Sequence, residues 1–400
     1  MPVSRQVKKA RALEAVKNPA QRSAKSRSGK LAGMSFKEQQ AALSPAAGKV
    51  SRGKKKEKEE EEIYPTFWSS TVRSNFSKWD KNGDGFIGHK EANELLSDQS
   101  IKGDEAAALA ALHCYLKHLE EESNDEWFDE NDGLTRADLR AYEGNDDKGR
   151  KNSDDLRHVE STNSAGRRAI WRKSEELFPN GVPNLAALRQ GGLGDCYFLA
   201  ALGAVIERDP RSLVRMIEKN EQGKEVISYT VTFPGKLGAV TVDKPTDAQI
   251  ARYSSAGGDG LWLTVMELAY AQARAGTKEP NPNVQEEIGE GGLLSTGISA
   301  MTGNSVNTDA NWATRQKTHR SRLDKAFRDG KIVTAAIMSK NELNLPKGHA
   351  YSVIAWDGTN VTIRNPWGSN PGKAPGSATG VFQLTLGRFD EIFSEISYEE

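Results

Sequence analysis

The segment Asp80-Lys81-Asn82-Gly83-Asp84-Gly85-Phe86-Ile87-Gly88-His89-Lys90-Glu91 leaves its part of the chain few ways to fold. Oxygen-bearing side chains stand at its first, third and fifth positions, a glycine at the sixth and a glutamate at the twelfth. Side chains at alternate positions converge on one point only if the backbone curls around that point, and Gly85 has the conformational freedom for the bend. Val72, Phe76 and Trp79 fall at i, i+4 and i+7, so one helix face leads into the loop, and Leu95 and Leu96 continue a second helix out of it.

A hard cation such as calcium takes six to eight oxygens, and this spacing fits the EF-hand loop. Asp80, Asn82 and Asp84 would give side-chain oxygens, Phe86 its carbonyl, and Glu91 a bidentate carboxylate. Ile87 can pair with a partner loop, while His89 faces solvent and is not a ligand. Such loops usually pair, and Asp129 to Asp138 resembles a degenerate second copy. Its glycine and later acid are 138 − 133 = 5 residues apart, against 91 − 85 = 6 in the first loop, so it is expected as a structural partner that binds calcium weakly or not at all.

Composition sets the frame around this loop. The chain has 400 residues, 55 Lys and Arg against 55 Asp and Glu, and 36% hydrophobic residues, which excludes wholesale disorder and leaves room for two or three domains. Zero net charge does not point to nucleic acid as the main partner, and no apolar run is long enough for a membrane span. Two cysteines make no disulfide framework, and the N-terminus lacks the apolar stretch of a secretory signal. A cytoplasmic home is expected, with non-classical export left open.

Residues 1–63 read as a disordered basic arm, rich in Lys, Arg, Ala and Ser up to Gly53 and ending in the charged run Lys54 to Glu62. Residues 64–144 are helical in pattern and form the calcium module; Leu109, Leu112, Leu116 and Leu119 repeat at helical spacing, with Cys114 as a packing residue among them. The polar stretch 145–167 reads as a linker, and 168–400 as one α+β domain in which helical periodicity after Cys196 gives way to strand-like runs. Those runs are Val226–Phe233, Ala239–Val242, Ile332–Ile337, Ala350–Trp356 and Val361–Arg364.

Within that domain, Gln190-Gly191-Gly192-Leu193-Gly194-Asp195-Cys196 sets a cysteine directly after a Gly-rich turn and at the start of an apolar helix. A helix N-terminus favours the thiolate, so a lowered thiol pKa is expected. Gln190, 196 − 190 = 6 residues earlier, can join the Cys196 N–H in an oxyanion hole. A nucleophilic cysteine needs a base and the base an orienter. His349 opens one strand and Asn365, 365 − 349 = 16 residues on, ends the next; the turn Asp357-Gly358-Thr359-Asn360 would fold the two side by side. The order Cys, His, Asn is that of papain-like proteases.

Gln190 to Cys196, Gly348 to Val353 and Asn365 to Gly368 resemble the three signature blocks of the calpain cysteine-protease core, with weaker echoes at Leu261-Trp262, Glu267, Ala269, Tyr270, Phe382, Phe389 and Phe393. The resemblance spans about 168–400 and implies a papain-like, calpain-type fold with an N-terminal α-helical EF-hand pair. It implies nucleophile Cys196, base His349, orienter Asn365 and oxyanion donor Gln190, with Trp367 shielding the His349–Asn365 bond and Gly348 lining the substrate cleft. The chain departs from animal calpains in four ways. Tyr197 replaces the usual Trp; the hairpin after His349 is shorter; the calcium module is expected before the core, with no further domain expected after it; and Ala187 and Thr379 to Val381 stand where regulated cores carry calcium-binding acids.

The function expected is a cysteine endopeptidase acting on protein or peptide substrates, with calcium bound at the EF-hand. Two alternatives are a calcium-responsive binding protein with an inactive core, and a transglutaminase-like acyl transferase, which normally has Asp where Asn365 stands.

Overall fold

The computed structural model describes residues 65–120, 133–144, 153–276, 284–309, 315–370 and 378–400. The arm expected over 1–63 and the acidic start of the second loop, Asp129 to Asp132, lie outside the described residues.

The first helix, α1 (Phe67–Trp79), starts at a capping box between Thr66 and Ser69 and buries Trp68, Val72, Phe76 and Trp79, the face read from the sequence. After the loop come the short strand β1 (Phe86–Gly88) and α2 (His89–Leu96), then the long α3 (Gly103–Leu119). β2 (Gly133–Thr135) pairs antiparallel with β1, Ile87 opposite Leu134, and leads into α4 (Arg136–Glu143). A Cβ on Gly133 would stand 2.4 Å from the Ile87 carbonyl oxygen, so only glycine admits this pairing.

The stretch expected as a linker over 145–167 becomes, from Ser153 on, the helix α5 (Ser153–Arg172). Val159 and Asn163 are buried, and a Cβ on Gly166 would stand 3.0 Å from the Ala251 Cβ and 3.4 Å from the Ala107 Cβ. Val159, Ala169 and Ile170 pack on the apolar core, but they are few among polar residues, and close approach at Gly166 adds to the hold, which is why the composition reads as loop.

The next part holds α6 (Cys196–Arg208), α7 (Pro210–Met216), the sheet β3 (Ile217–Gln222), β4 (Glu225–Phe233), β5 (Gly238–Asp243), then α8 (Asp247–Arg252), α9 (Trp262–Ala275), α10 (Val284–Ile288) and α11 (Leu294–Thr302). The last part is a six-stranded sheet in the order β10-β9-β8-β7-β11-β6, made of β6 (Val306–Asp309), β7 (Val333–Ile337), β8 (His349–Trp356), β9 (Asn360–Arg364), β10 (Val381–Thr385) and β11 (Glu395–Glu399), with α12 (Arg315–Arg328) and α13 (Leu386–Ile392). Its neighbouring strands are all antiparallel.

Among the described residues two apolar clusters fill the interior. One joins Leu323, Tyr351, Phe389 and Phe393 inside the six-stranded part. The other runs from Trp68 through Leu112, Phe198 and Trp262 to Met301 and on to Ala350, so the N-terminal helices and the part that follows α5 share one core. Hydrogen bonds cross the same seam: the Thr246 hydroxyl donates to the Leu96 carbonyl at 2.5 Å and the Gly103 N–H to Asp247 at 2.9 Å.

Candidate active site

α6 and β8 meet at close range, and that meeting places the chemistry. Gly203 faces Ser352 so tightly that a Cβ would lie 2.6 Å from the Ser352 hydroxyl, and that hydroxyl donates to the Ala200 carbonyl at 2.7 Å. Cys196 is the first residue of α6 and His349 the first of β8. The Cys196 sulphur accepts the N–H of Ala350, the residue after His349.

Gly348, at φ 63°, turns the chain into β8 and donates its N–H to the Ile337 carbonyl at 2.6 Å. Asp357 closes the hairpin beyond, its carboxylate accepting the N–H groups of Thr359 at 2.8 Å and Asn360 at 2.6 Å. β9 then returns alongside β8, with Ser352 opposite Arg364 and Val353 opposite Ile363. Arg364, 1% exposed, donates to the Leu188 carbonyl at 2.7 Å, and the Gln190 N–H donates to the Pro366 carbonyl at 3.0 Å, so the end of β9 is stitched to the turn before the cysteine.

This arrangement brings His349 Nε2 within 2.9 Å of Asn365 Oδ1, both residues being buried. Asn365 Oδ1 also accepts the Trp367 N–H at 3.0 Å. The Trp367 ring lies 4.4 Å from the imidazole, inclined at 40°, and Tyr351 meets it edge-on at 4.9 Å. With Nε2 committed to Asn365, Nδ1 is the nitrogen left for the thiol.

One expectation is corrected, and one side chain points elsewhere in this structure. The helix start was expected to lower the thiol pKa; instead burial pushes the Cys196 thiol up to about 11, against the opposing pull of the Ala350 and Tyr197 amides. Burial likewise pushes His349 down to about 4, despite the Asn365 bond. Burial thus biases both groups toward their neutral forms. Gln190 was expected to aim its amide at the oxyanion; instead Nε2 donates to the Leu193 carbonyl at 2.8 Å and to Asp195 Oδ1 at 3.4 Å, inside its own turn.

Sequence reading missed the groups behind that turn. Asp195 and Glu267 are both fully buried and their carboxyl groups bond to each other; burial, then their mutual repulsion, pushes Asp195 well above the carboxylate range. Asp195 lies in the cysteine block and Glu267 among the weaker echoes of the resemblance, but nothing in the sequence paired them, because 267 − 195 = 72 residues separate them.

The loop from Asp80 to Glu91 forms a second candidate site. Carboxylate oxygens of Asp80, Asp84 and Glu91 lie within 4.8 Å of one another. Backbone amides orient them: Asp80 accepts from Gly83 at 2.8 Å and Gly85 at 3.1 Å, Asn82 from Asp84 at 3.0 Å, Asp84 from Phe86 at 3.2 Å, and Glu91 from Lys81 at 2.9 Å and Gly88 at 3.2 Å. An all-oxygen set carrying three carboxylates fits a hard divalent cation rather than a soft one. His89 stays outside the set, its ring 3.8 Å from Glu120.

Residues 145–377 match the family model described as calpain family cysteine protease. The chain belongs to the calpain family of cysteine proteases. Calpain-8 of Rattus norvegicus is 26% identical over 227 residues, covering 50% of this chain and 31% of that protein. The calpain-2 catalytic subunit of Gallus gallus is 28% identical over 233 residues, covering 50% of this chain and 31% of its own length. The calpain-1 catalytic subunit of the same species is 28% identical over 227 residues. The matched region thus spans about a third of these relatives. Among the described residues no helix is long and apolar enough to cross a membrane.

Proposed function

We propose that the chain is an endopeptidase that hydrolyses peptide bonds of protein or peptide substrates, with Cys196 as nucleophile, His349 as base and Asn365 as orienter. One observation carries the reading: the 2.9 Å bond from His349 Nε2 to Asn365 beneath Trp367, on the strand whose next amide reaches the Cys196 sulphur. Substrate binding displaces water; His349 Nδ1 takes the thiol proton as sulphur attacks the scissile carbonyl. The Cys196 N–H holds the oxyanion, joined by the Gln190 amide once it leaves the Leu193 carbonyl. The imidazolium then protonates the leaving amine, and water activated by His349 frees the acyl group.

The loop at Asp80 is read as an EF-hand, and β1 with β2 as the link to a second, degenerate one. Asp80, Asn82, Asp84, the Phe86 carbonyl and Glu91 would hold calcium, which when bound supplies a divalent charge tying the end of α1 to the start of α2. Gly348 and Trp367 are read as walls of the substrate cleft, and the cytoplasm as the place of action.

The test is incubation of the full chain with a peptide and an added amine, wild type against Cys196→Ala. Cys196-dependent release of a free carboxylate supports hydrolysis. Amide formation would instead show acyl transfer, and no turnover would leave a binding protein.

A further inference from the structure

Two acids back the turn from Gln190 to Cys196, and the mechanism above does not use them. Hydrogen bonds run from this pair around a closed circuit. Glu267 accepts the Ser254 N–H at 2.6 Å and the Ser254 hydroxyl at 3.1 Å. Ser254 Oγ in turn accepts the Gly191 N–H at 3.0 Å, and Gln190, next in the chain, donates to Asp195 Oδ1 at 3.4 Å. Asp195 bonds back to Glu267. Thr264, on the same helix as Glu267, donates its hydroxyl to the Ser254 carbonyl at 2.8 Å and locks the circuit to α9.

Two carboxylates this close and this dry cannot both be charged, so they hold one proton and one negative charge between them. Where the charge sits decides what the neighbouring sulphur feels. Glu267 already accepts two bonds from Ser254, and the cation Arg252 favours its charge; Asp195 has its own backbone amide and one long bond from Gln190, and burial outweighs both. Glu267 is thus the better carboxylate and Asp195 the better acid. The other titratable groups acting here are Cys196, Tyr197, Tyr253 and Tyr270, with Arg274 beyond the tyrosines. Burial pushes all three tyrosines up, which keeps them neutral.

Building on the peptidase reading, we propose that Glu267 is a positioning residue of the active site: it keeps Asp195 protonated, so no full negative charge stands beside the Cys196 sulphur, and it holds the Gln190–Cys196 turn. A charged Asp195 would oppose the thiolate on which attack depends.

Two near-isosteric substitutions reverse the polarity of the pair in opposite senses. Asp195→Asn places an amide donor against the Glu267 carboxylate and reproduces the proposed arrangement. Glu267→Gln places the donor on the far side and draws the charge onto Asp195. The readout on the full chain is the pH dependence of Cys196 alkylation by iodoacetamide, followed by mass spectrometry separately from Cys114, together with kcat and KM for a peptide. Glu267→Gln should raise the alkylation midpoint by about one pH unit, a tenfold loss of thiolate at fixed pH, and lower kcat about tenfold with KM unchanged. Asp195→Asn should leave the midpoint in place, and adding it to Glu267→Gln should bring the midpoint back. A midpoint that falls in Asp195→Asn shows a charged Asp195 in the native protein and overturns the proposal, as does a Glu267→Gln midpoint equal to wild type. If Glu267→Gln does not fold, Asp195→Asn decides alone. Alkylation needs no turnover, so a protein that hydrolyses nothing defeats the peptidase reading and still answers this question.

Discussion

Removing the Asn365 amide should cost both stability and rate, by amounts the geometry bounds. Its Oδ1 accepts two donors, His349 Nε2 at 2.9 Å and the Trp367 N–H at 3.0 Å, in a place where Asn365 is 0% and His349 5% exposed. A buried donor left without an acceptor costs about 1–3 kcal/mol, so Asn365→Ala should lose about 2–6 kcal/mol if both stay dry, and nearer the lower figure if one water enters the space. Part of this loss reaches the reaction, because the released imidazole can rotate its Nδ1 away from the thiol. A penalty of about 1.4–2.8 kcal/mol on the transition state is a ten- to hundredfold fall in kcat/KM. Urea unfolding gives the first quantity and hydrolysis of a fluorogenic peptide the second. Asn365→Asp is the informative partner, since a carboxylate at the same place favours the imidazolium and should move His349 upward from about 4. Asn365→Ala with wild-type stability and wild-type kcat/KM would refute the reasoning, because a dry two-donor acceptor cannot be removed at no cost.

Cys196→Ala and His349→Ala should each abolish turnover, and Gln190→Ala should slow it by about 10² to 10³ if its amide reaches the oxyanion; full activity in Cys196→Ser would end the thiol mechanism. His113 and His349 are pushed down by burial to about 3 and about 4, so the folded protein binds fewer protons than the unfolded chain below the ordinary histidine pKa. Stability should therefore fall as pH drops from about 6.5 towards 4, and His113→Gln should flatten that slope in thermal melts. Asp80→Ala with Glu91→Gln should remove calcium binding measured by calorimetry; tight binding that survives the pair would place the ion elsewhere.

What the sequence made legible tracks how local the signal is. The hairpin that returns Asn365 to His349 could be read from two strand-like runs and an Asp-Gly turn, and the structure has β8 and β9 there. The helix face of Val72, Phe76 and Trp79 was equally plain, because the period of an amphipathic helix is written in the residues themselves. β3, with the sequence Ile-Glu-Lys-Asn-Glu-Gln, was not, since mostly exposed strand residues carry no alternation. α5 escaped because its few core-facing apolar residues are scattered among polar ones, and the direction of the Cys196 shift escaped because helix-dipole and burial effects oppose each other there and only packing density says which wins.

The shared core from Trp68 to Met301 has a thermal consequence. A chain whose N-terminal helices share side chains with α6 and α9 has no interior surface along which to come apart in stages, so a calorimetric scan should show those helices melting together with the helix that carries Cys196. An ion that binds the Asp80 loop in the native state alone then raises the temperature at which the thiol site is lost, by about 2.7 kcal/mol of stability at a hundredfold excess over its Kd. Heat resistance of the thiol site becomes a function of the ion concentration, whether or not the ion alters the chemistry there.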